Sequence, residues 1–86
     1  QNYPNPFNPI TTLAFSVPYS VHTTVEVYNI LGEKVKTIFD GVANAGTNYV
    51  TWNGTGTEGE TVASGIYFYR MKAADFEKTR KMVLMK

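Results

Sequence analysis

Residue types that support acid–base chemistry are sparse in this 86-residue sequence. The single histidine, His22, stands near the start of an apolar-alternating run. A catalytic histidine needs an orienting carboxylate and a nucleophile, and no pattern in the sequence supplies either. We therefore predict a solvent-exposed, non-catalytic His22. The sequence has no cysteine, which excludes disulfides, thiolate catalysis and cysteine zinc sites.

Two carboxylates, Glu58 and Glu60, flank Gly59 in a glycine-rich stretch over residues 54–65. Calcium and magnesium favour such oxygen ligands, but the threonines around them are poor substitutes for the aspartates of a calcium loop. A glycosidase pair needs a fixed carboxylate separation, which a flexible loop does not provide. We predict a solvated turn here, with a cation site as the weaker alternative.

Two further patterns could concern sugars. Asn53-Gly54-Thr55 matches the N-glycosylation sequon, but it also fits a turn in which the asparagine side chain bonds the backbone, which we favour. Trp52 and five tyrosines could form a sugar-stacking platform; these are Tyr19, Tyr28, Tyr49, Tyr67 and Tyr69. Trp52 alternates with Val50, so we predict that both face the core, and a carbohydrate-binding face stays an open alternative.

The elements that would position these residues read as β-strands. Short apolar-alternating runs are separated by glycine, asparagine and proline, which is typical of an all-β domain. The runs cover residues 10–17, 22–30, 33–39, 47–53, 66–72 and 76–85, with a minor strand near 61–63. About seven antiparallel strands in this length predict an immunoglobulin-like β-sandwich, with a small closed barrel as the alternative.

The phase of each run predicts its buried face. The first run places Leu13, Phe15 and Val17 on one face, and the second does the same with Val25 and Val27. The fifth run has large side chains on both faces, which favours a central strand. In the third run Val35 and Ile38 are out of phase, so we predict a bulge or a switch of face.

The chain begins with an unusual segment, NYPNPFNP, at residues 2–9. A residue that precedes proline is restricted to extended conformations, so little entropy remains to be lost on docking. Tyr3 and Phe7 supply apolar area for such docking. We predict that residues 1–9 form an extended, docked lead-in to a single domain over residues 1–86, with a floppy linker as the alternative.

Charge is distributed unevenly along the chain. The net charge is +1, too small to attract nucleic acid strongly, and no apolar run is long enough to span a membrane. Residues 70–86 hold six of the eight basic residues against two acids, a local charge of +4 that leaves −3 elsewhere. This predicts either a solvated strand face or recognition of the C-terminal segment by a partner.

The motifs resemble a known family. NYPNPFNP, then VYNILGEKV, TWNG, SGIYFYR and a terminal TRKMVLMK, follow one another in the order of the type A C-terminal sorting domain of type IX secretion. The sequence is also similar to the immunoglobulin-like domain of the flagellar hook-capping protein. The resemblance extends from residue 2 to residue 86.

This resemblance implies an immunoglobulin-like sandwich with no enzymatic activity and no cofactor. It implies a module of a larger protein of a Gram-negative bacterium, which is secreted or displayed on the cell surface after crossing the periplasm. The partners would be the outer-membrane translocon, a sortase-like protease and the covalently linked upstream domains. The residues implied for recognition of the signal are Arg80, Lys81, Met82, Val83, Leu84, Met85 and Lys86.

Other positions match the family as fold determinants or depart from it. Gly65 and Tyr67 correspond to the glycine and first tyrosine of the SGxYxYR element. Asn29 and Asn53 stand where the family commonly has aspartate, which removes charge that could have supported a cation site. The alternative function is an immunoglobulin-like spacer or accessory module, with or without carbohydrate binding, of a multidomain extracellular enzyme.

Overall fold

The computed structural model describes residues 10–85 and confirms the predicted all-β, immunoglobulin-like sandwich. Six antiparallel strands are present in this range: β1 Thr11–Val17, β2 Val21–Tyr28, β3 Lys34–Ala43, β4 Gly46–Trp52, β5 Gly65–Ala73 and β6 Phe76–Leu84. Strands β1 and β4 form a two-stranded sheet, and the other four form a second sheet in the order β3-β2-β5-β6. Within residues 10–85, no helix is long and apolar enough to cross a membrane.

The predicted seventh strand, at residues 61–63, is wrong. This stretch contributes a single bridge between Thr55 and Thr61. The reason is local, because the chain turns at Gly54 and Gly59, which have φ angles of +76° and +84°. Glycine tolerates this left-handed conformation, and the turns leave too few consecutive extended residues for a ladder.

The core lies between the two sheets and follows the predicted alternation. Trp52 is 1% exposed and Val50 packs partly buried against the same cluster, as expected. The buried side chains are Leu13, Phe15, Val17, Thr23, Val25, Val27, Ala43, Trp52, Tyr67, Tyr69, Met71, Ala73, Met82 and Leu84. Strand β5 lies between β2 and β6, which confirms its predicted central position.

The predicted irregularity of the third run is confirmed as two breaks in the β2–β3 register. Phe39 pairs with Val25 but Thr37 pairs with Glu26, so Ile38 is an extra residue on β3. The second break makes Val35 the extra residue between Lys36 and Lys34. Each bulge shifts the phase by one residue, so both Val35 and Ile38 pack against the core.

The two sheets are joined by an aromatic cluster with satisfied polar atoms. The Tyr69 hydroxyl on β5 donates a 3.1 Å hydrogen bond to the Ala14 carbonyl on β1. The Trp52 ring packs edge-on against Tyr67 with 5.2 Å between ring centroids. The Trp52 Nε1 atom donates to the Thr55 carbonyl at 2.9 Å, so the buried indole has a partner.

The sheets differ in width, so the two-stranded sheet, as far as residues 10–85 show, leaves one flank of the larger sheet uncovered. Strand β1 lies towards β5 and β6, since Tyr69 reaches it and residues of β1 and β6 line one groove. Strand β4 lies towards β3. The two-stranded sheet therefore does not cover the full inner side of β6. The predicted lead-in at residues 1–9 lies outside the described residues.

Candidate functional site

The residues predicted to form the signal lie on β6, a strand at the edge of the four-stranded sheet. Strand β6 pairs with β5 without register breaks, from Ala73 opposite Phe76 to Gly65 opposite Leu84. The connecting turn consists of Ala74 and Asp75, and Ala74 has a φ of +52°. Within residues 10–85, β6 has a strand neighbour on one side only. Lys86, the last predicted residue, lies outside the described range.

Strand alternation divides the predicted signal residues into three groups. Met82 and Leu84 are buried and anchor the strand in the core. Lys81, Val83 and Met85 are exposed on the outer side, and Val83 and Met85 are 56% and 76% exposed. Arg80 has the phase of the buried residues but is exposed, because the smaller sheet does not cover it. The structure thus brings only Lys81, Val83 and Met85 together on one solvent-facing surface.

This outer surface continues onto β5. Val83 lies opposite Ile66, and Lys81 lies opposite Phe68, in the β5–β6 ladder. Ile66 is 44% exposed and Phe68 is half-buried. We define the outer β6 patch as Ile66, Phe68, Lys81, Val83 and Met85. It combines exposed apolar area with one cation, and contiguous exposed apolar area is typical of protein-recognition surfaces.

Sequence reasoning missed Ile66 and Phe68 as members of this surface. The signal that could have identified them is the two-residue turn at Ala74-Asp75. A two-residue hairpin turn fixes the register of its strands, and the register places residue 66 opposite residue 83.

Only some of the basic residues in the segment 70–85 form ion pairs. The Arg70 Nε atom lies 3.3 Å from a Glu77 carboxylate oxygen, and its guanidinium lies 4.6 Å above the Tyr28 ring. Lys78, Arg80 and Lys81 form no ion pair within residues 10–85. The positive charge of this hairpin is therefore only partly compensated.

The pKa of Tyr28, beside this network, is raised above its usual value of 10.0. The main cause is the 2.6 Å hydrogen bond that its hydroxyl donates to Glu26, followed by desolvation and the charge of Glu26. The hydroxyl is therefore a stable donor and not a phenolate at neutral pH.

His22 is exposed, as predicted, and pairs with a carboxylate. Its Nε2 atom lies 2.8 Å from Asp40 Oδ1 on the neighbouring strand β3. Both side chains of the pair are exposed to solvent. Two residues with hydroxyl groups, Thr23 and Thr24, lie near the pair in the ladder, and the Thr23 hydroxyl donates to the Val21 carbonyl. No group of three metal-ligating side chains occurs in residues 10–85.

The Glu58–Glu60 loop has the predicted turn structure. Glu60 Oε1 accepts a 3.0 Å hydrogen bond from the Glu58 backbone amide, so one carboxylate stabilises the turn itself. The sequon also forms a turn, but its bond differs from the prediction, because Asn53 Oδ1 accepts from the Thr55 hydroxyl at 2.6 Å.

The aromatic residues do not assemble into a platform within the described chain. Trp52, Tyr67 and Tyr69 are buried, and the Tyr67 hydroxyl donates a 2.6 Å bond to the Ala63 carbonyl. Tyr49 is exposed on the smaller sheet, while Tyr19 packs edge-on against Phe76. The position of Tyr67, and the φ of +150° at Gly65, support the fold-determining roles expected for these two residues.

Comparison with known families supports the sandwich. The FlgD Ig-like domain matches residues 9–76, so the match includes β1 to β5 and ends at the first residue of β6. No curated protein matches the sequence significantly, and no solved structure does so. Because the match covers most of the sequence, the chain belongs to the FlgD Ig-like domain family, related to the flagellar hook-capping protein.

Proposed function

We propose that this chain is a non-catalytic sorting domain that directs a larger parent protein across the outer membrane through type IX secretion. Its motifs resemble the type A sorting domain in order, and its terminal segment forms an ordered strand. In this proposal the parent reaches the periplasm first and is then secreted or displayed on the surface of a Gram-negative bacterium.

The observation that supports this proposal most directly is the position of β6. A receptor can bind the exposed side of an edge strand while the buried side keeps the domain folded. Met82 and Leu84 hold the strand in place, and the outer β6 patch presents Lys81, Val83 and Met85. The partners are the outer-membrane translocon and the sortase-like protease, with the upstream domains as covalently attached cargo.

The absence of catalysis is part of the proposal. His22 and Asp40 form an exposed pair, and Glu60 is engaged in its own turn. In the described chain, neither arrangement combines a nucleophile, a base and an orienting group.

Point substitutions on the outer β6 patch test this function. Deleting residues 81–86 would also remove the buried Met82 and Leu84, so loss of secretion could then reflect unfolding. The double variant Lys81→Glu/Val83→Glu changes exposed side chains only. In the parent protein, we expect this variant to accumulate in the periplasm of a bacterium that has the type IX translocon.

A matched control changes the same residue types elsewhere on the same sheet. Lys72→Glu/Val42→Glu alters an exposed lysine and a valine that is 67% exposed, both away from the outer β6 patch. We expect normal secretion of this control. Thermal unfolding of both isolated variants shows whether they are folded. Normal secretion of folded Lys81→Glu/Val83→Glu would contradict the proposed function.

A second candidate is an immunoglobulin-like spacer or accessory module of a multidomain extracellular enzyme. The family match is to an Ig-like domain over residues 9–76, and an Ig-like fold is compatible with this role as well. A spacer acts through its size and its linkage. Replacing residues 1–86 with an unrelated sandwich domain should then leave both secretion and the activity of the parent unchanged, whereas a sorting domain should not be replaceable.

A further inference from the structure

A groove of about 570 Å³ opens between β1 and β6, on the flank of the sandwich opposite β3. Its apolar lining includes Phe15, Met71 and Phe76, and Tyr69 lies between the two strands. Lys78 and Arg80 are its basic residues. We call this the β1–β6 groove. It lies on the opposite side of β6 from the outer β6 patch.

The groove results from the unequal widths of the two sheets. On the inner side of β6 the residues are Phe76, Lys78, Arg80, Met82 and Leu84. The last two are buried, Phe76 is half-buried, and the two cations are exposed. The first half of β6 therefore has an inner side without a strand packed over it in the described chain.

Within the described residues, the two cations of the groove have no ion-pair partner. Lys78 lies opposite Met71 in the ladder, and Arg80 lies opposite Tyr69, so both cations extend from the core side of the sheet. Neither forms an ion pair within residues 10–85. The one acid in the lining, Glu77, has its carboxylate 3.3 Å from Arg70. Inward-pointing cations discourage indiscriminate strand pairing, and they favour a ligand that carries carboxylates.

Within residues 10–85, one edge of β1 has no strand paired with it, and only the Ala14 carbonyl already accepts a hydrogen bond from Tyr69. This strand pairs with β4 on one side, and its other side borders the groove through Ala14, Phe15 and Ser16. A segment paired with that edge would lie about 4.8 Å from β1 and about 10 Å above the four-stranded sheet. It would therefore cover the inner side of β6, with alternate side chains directed towards Phe76, Lys78 and Arg80.

We propose that the β1–β6 groove binds an extended segment of a partner protein, which pairs with β1 and directs acidic and apolar side chains towards β6. The segment adds a third strand to the smaller sheet. Main-chain hydrogen bonds supply general affinity, and the carboxylates facing Lys78 and Arg80 supply selectivity. This interaction is independent of the outer β6 patch, which remains exposed when the groove is filled.

A synthetic peptide provides the test. The probe is a capped nine-residue peptide with the sequence Thr-Val-Thr-Glu-Thr-Glu-Thr-Val-Thr. Its two glutamates are placed to face Lys78 and Arg80, and its two valines are placed to face the apolar positions on either side of them. It is titrated into the full chain, and backbone amide shifts are followed by NMR. We expect chemical-shift changes at residues 14–16. We also expect the dissociation constant to be about tenfold or more below that of a peptide with glutamines in place of the glutamates, and tenfold corresponds to about 1.4 kcal/mol.

Variants of the chain assign the effect to the groove. We expect Lys78→Glu/Arg80→Glu to weaken binding of the glutamate peptide about tenfold or more. Lys72→Glu is the matched control, because Lys72 is exposed on the outer side of the same sheet, and we expect a change below about twofold. Amide spectra of the free variants establish that the fold is retained.

Several results would overturn the proposal. These are equal binding of the glutamate and glutamine peptides, equal loss of affinity in Lys72→Glu, or shifts confined to β3 or the outer β6 patch. Binding that appears only after Tyr3→Ser/Phe7→Ser would identify residues 1–9 of the same chain as the occupant. Concentration-dependent shifts at residues 14–16 without peptide would identify a second copy instead. Secretion of the parent is not part of this test, so its outcome is separate from that of the proposed function.

Discussion

Buried tyrosine and tryptophan side chains hold this small sandwich together with both their rings and their polar atoms. Trp52 Nε1, the Tyr67 hydroxyl and the Tyr69 hydroxyl each donate to a backbone carbonyl, at Thr55, Ala63 and Ala14. The sequence indicated that Trp52 is in the core from its alternation with Val50. It could not indicate the carbonyl partners, since these depend on which loop or strand lies opposite.

The bond between Tyr69 and Ala14 is expected to contribute directly to stability, because it joins the two sheets. Replacing Tyr69 by phenylalanine keeps the ring and removes the donor. We expect the free energy of unfolding in urea to fall by about 0.5–1.5 kcal/mol. Tyr49→Phe is the control, as Tyr49 is 71% exposed. Equal stability of Tyr69→Phe and the original chain would show that this bond makes no net contribution.

The hydrogen bond between Tyr28 and Glu26 predicts a pH dependence. Because the folded pKa of Tyr28 is raised above the unfolded value of 10.0, its contribution to stability is complete below pH 10.0. The contribution is lost as the pH rises through the folded pKa. Glu26→Ala removes both the hydrogen-bond acceptor and the charge, so we expect the Tyr28 pKa to move down towards 10.0.

Ultraviolet titration of tyrosinate measures this shift, and subtracting the Tyr28→Phe curve isolates the residue. An unchanged or higher Tyr28 pKa in Glu26→Ala would contradict the assigned cause.

At the scale of elements, β6 has one buried side and one exposed side. Its inner residues Met82 and Leu84 are buried, while the adjacent Val83 is exposed. The period of two in a strand could be read from the sequence, but the phase of β6 could not, because residues 82–85 are all apolar. The exposure of Arg80 could not be predicted, because it follows from the narrow opposing sheet and not from β6 itself.

Neighbouring substitutions on β6 should therefore differ strongly. Leu84→Ala removes a side chain that is 1% exposed, and we expect a loss of about 2–5 kcal/mol in the free energy of unfolding. Val83→Ala should change it by about 0.5 kcal/mol or less. Denaturant unfolding measures both. Similar losses for the two variants would mean that the two sides of β6 are not distinguished as the structure describes.

Strand β3 shows what sequence phase can and cannot establish. Val35 and Ile38 were out of phase for a flat strand, and two bulges in the β2–β3 ladder explain this. The need for an irregularity was therefore predictable. The number of bulges was not, because the partner residues on β2 determine where each extra residue falls.

At the scale of the whole molecule, the sheets contain two and four strands in residues 10–85. The sequence predicted the sandwich, but it overestimated the number of strands by reading residues 61–63 as extended. Glycine conformations at Gly54 and Gly59 end that ladder after one bridge. The imbalance between the sheets depends on which strands pair, and it produces the β1–β6 groove. The outer β6 patch instead lies on the solvent-facing side of the larger sheet.

The central claim of the proposed function is that residues 1–86 form a folded domain and that the type IX translocon recognises its terminal strand. The most direct measurement fuses residues 1–86 to the C-terminus of a periplasmic reporter, in a bacterium with an active type IX translocon, and compares reporter in the medium or on the cell surface with reporter in the periplasm. The account predicts export of the fusion and periplasmic retention of folded Lys81→Glu/Val83→Glu. Retention of the unaltered fusion in the periplasm would contradict it.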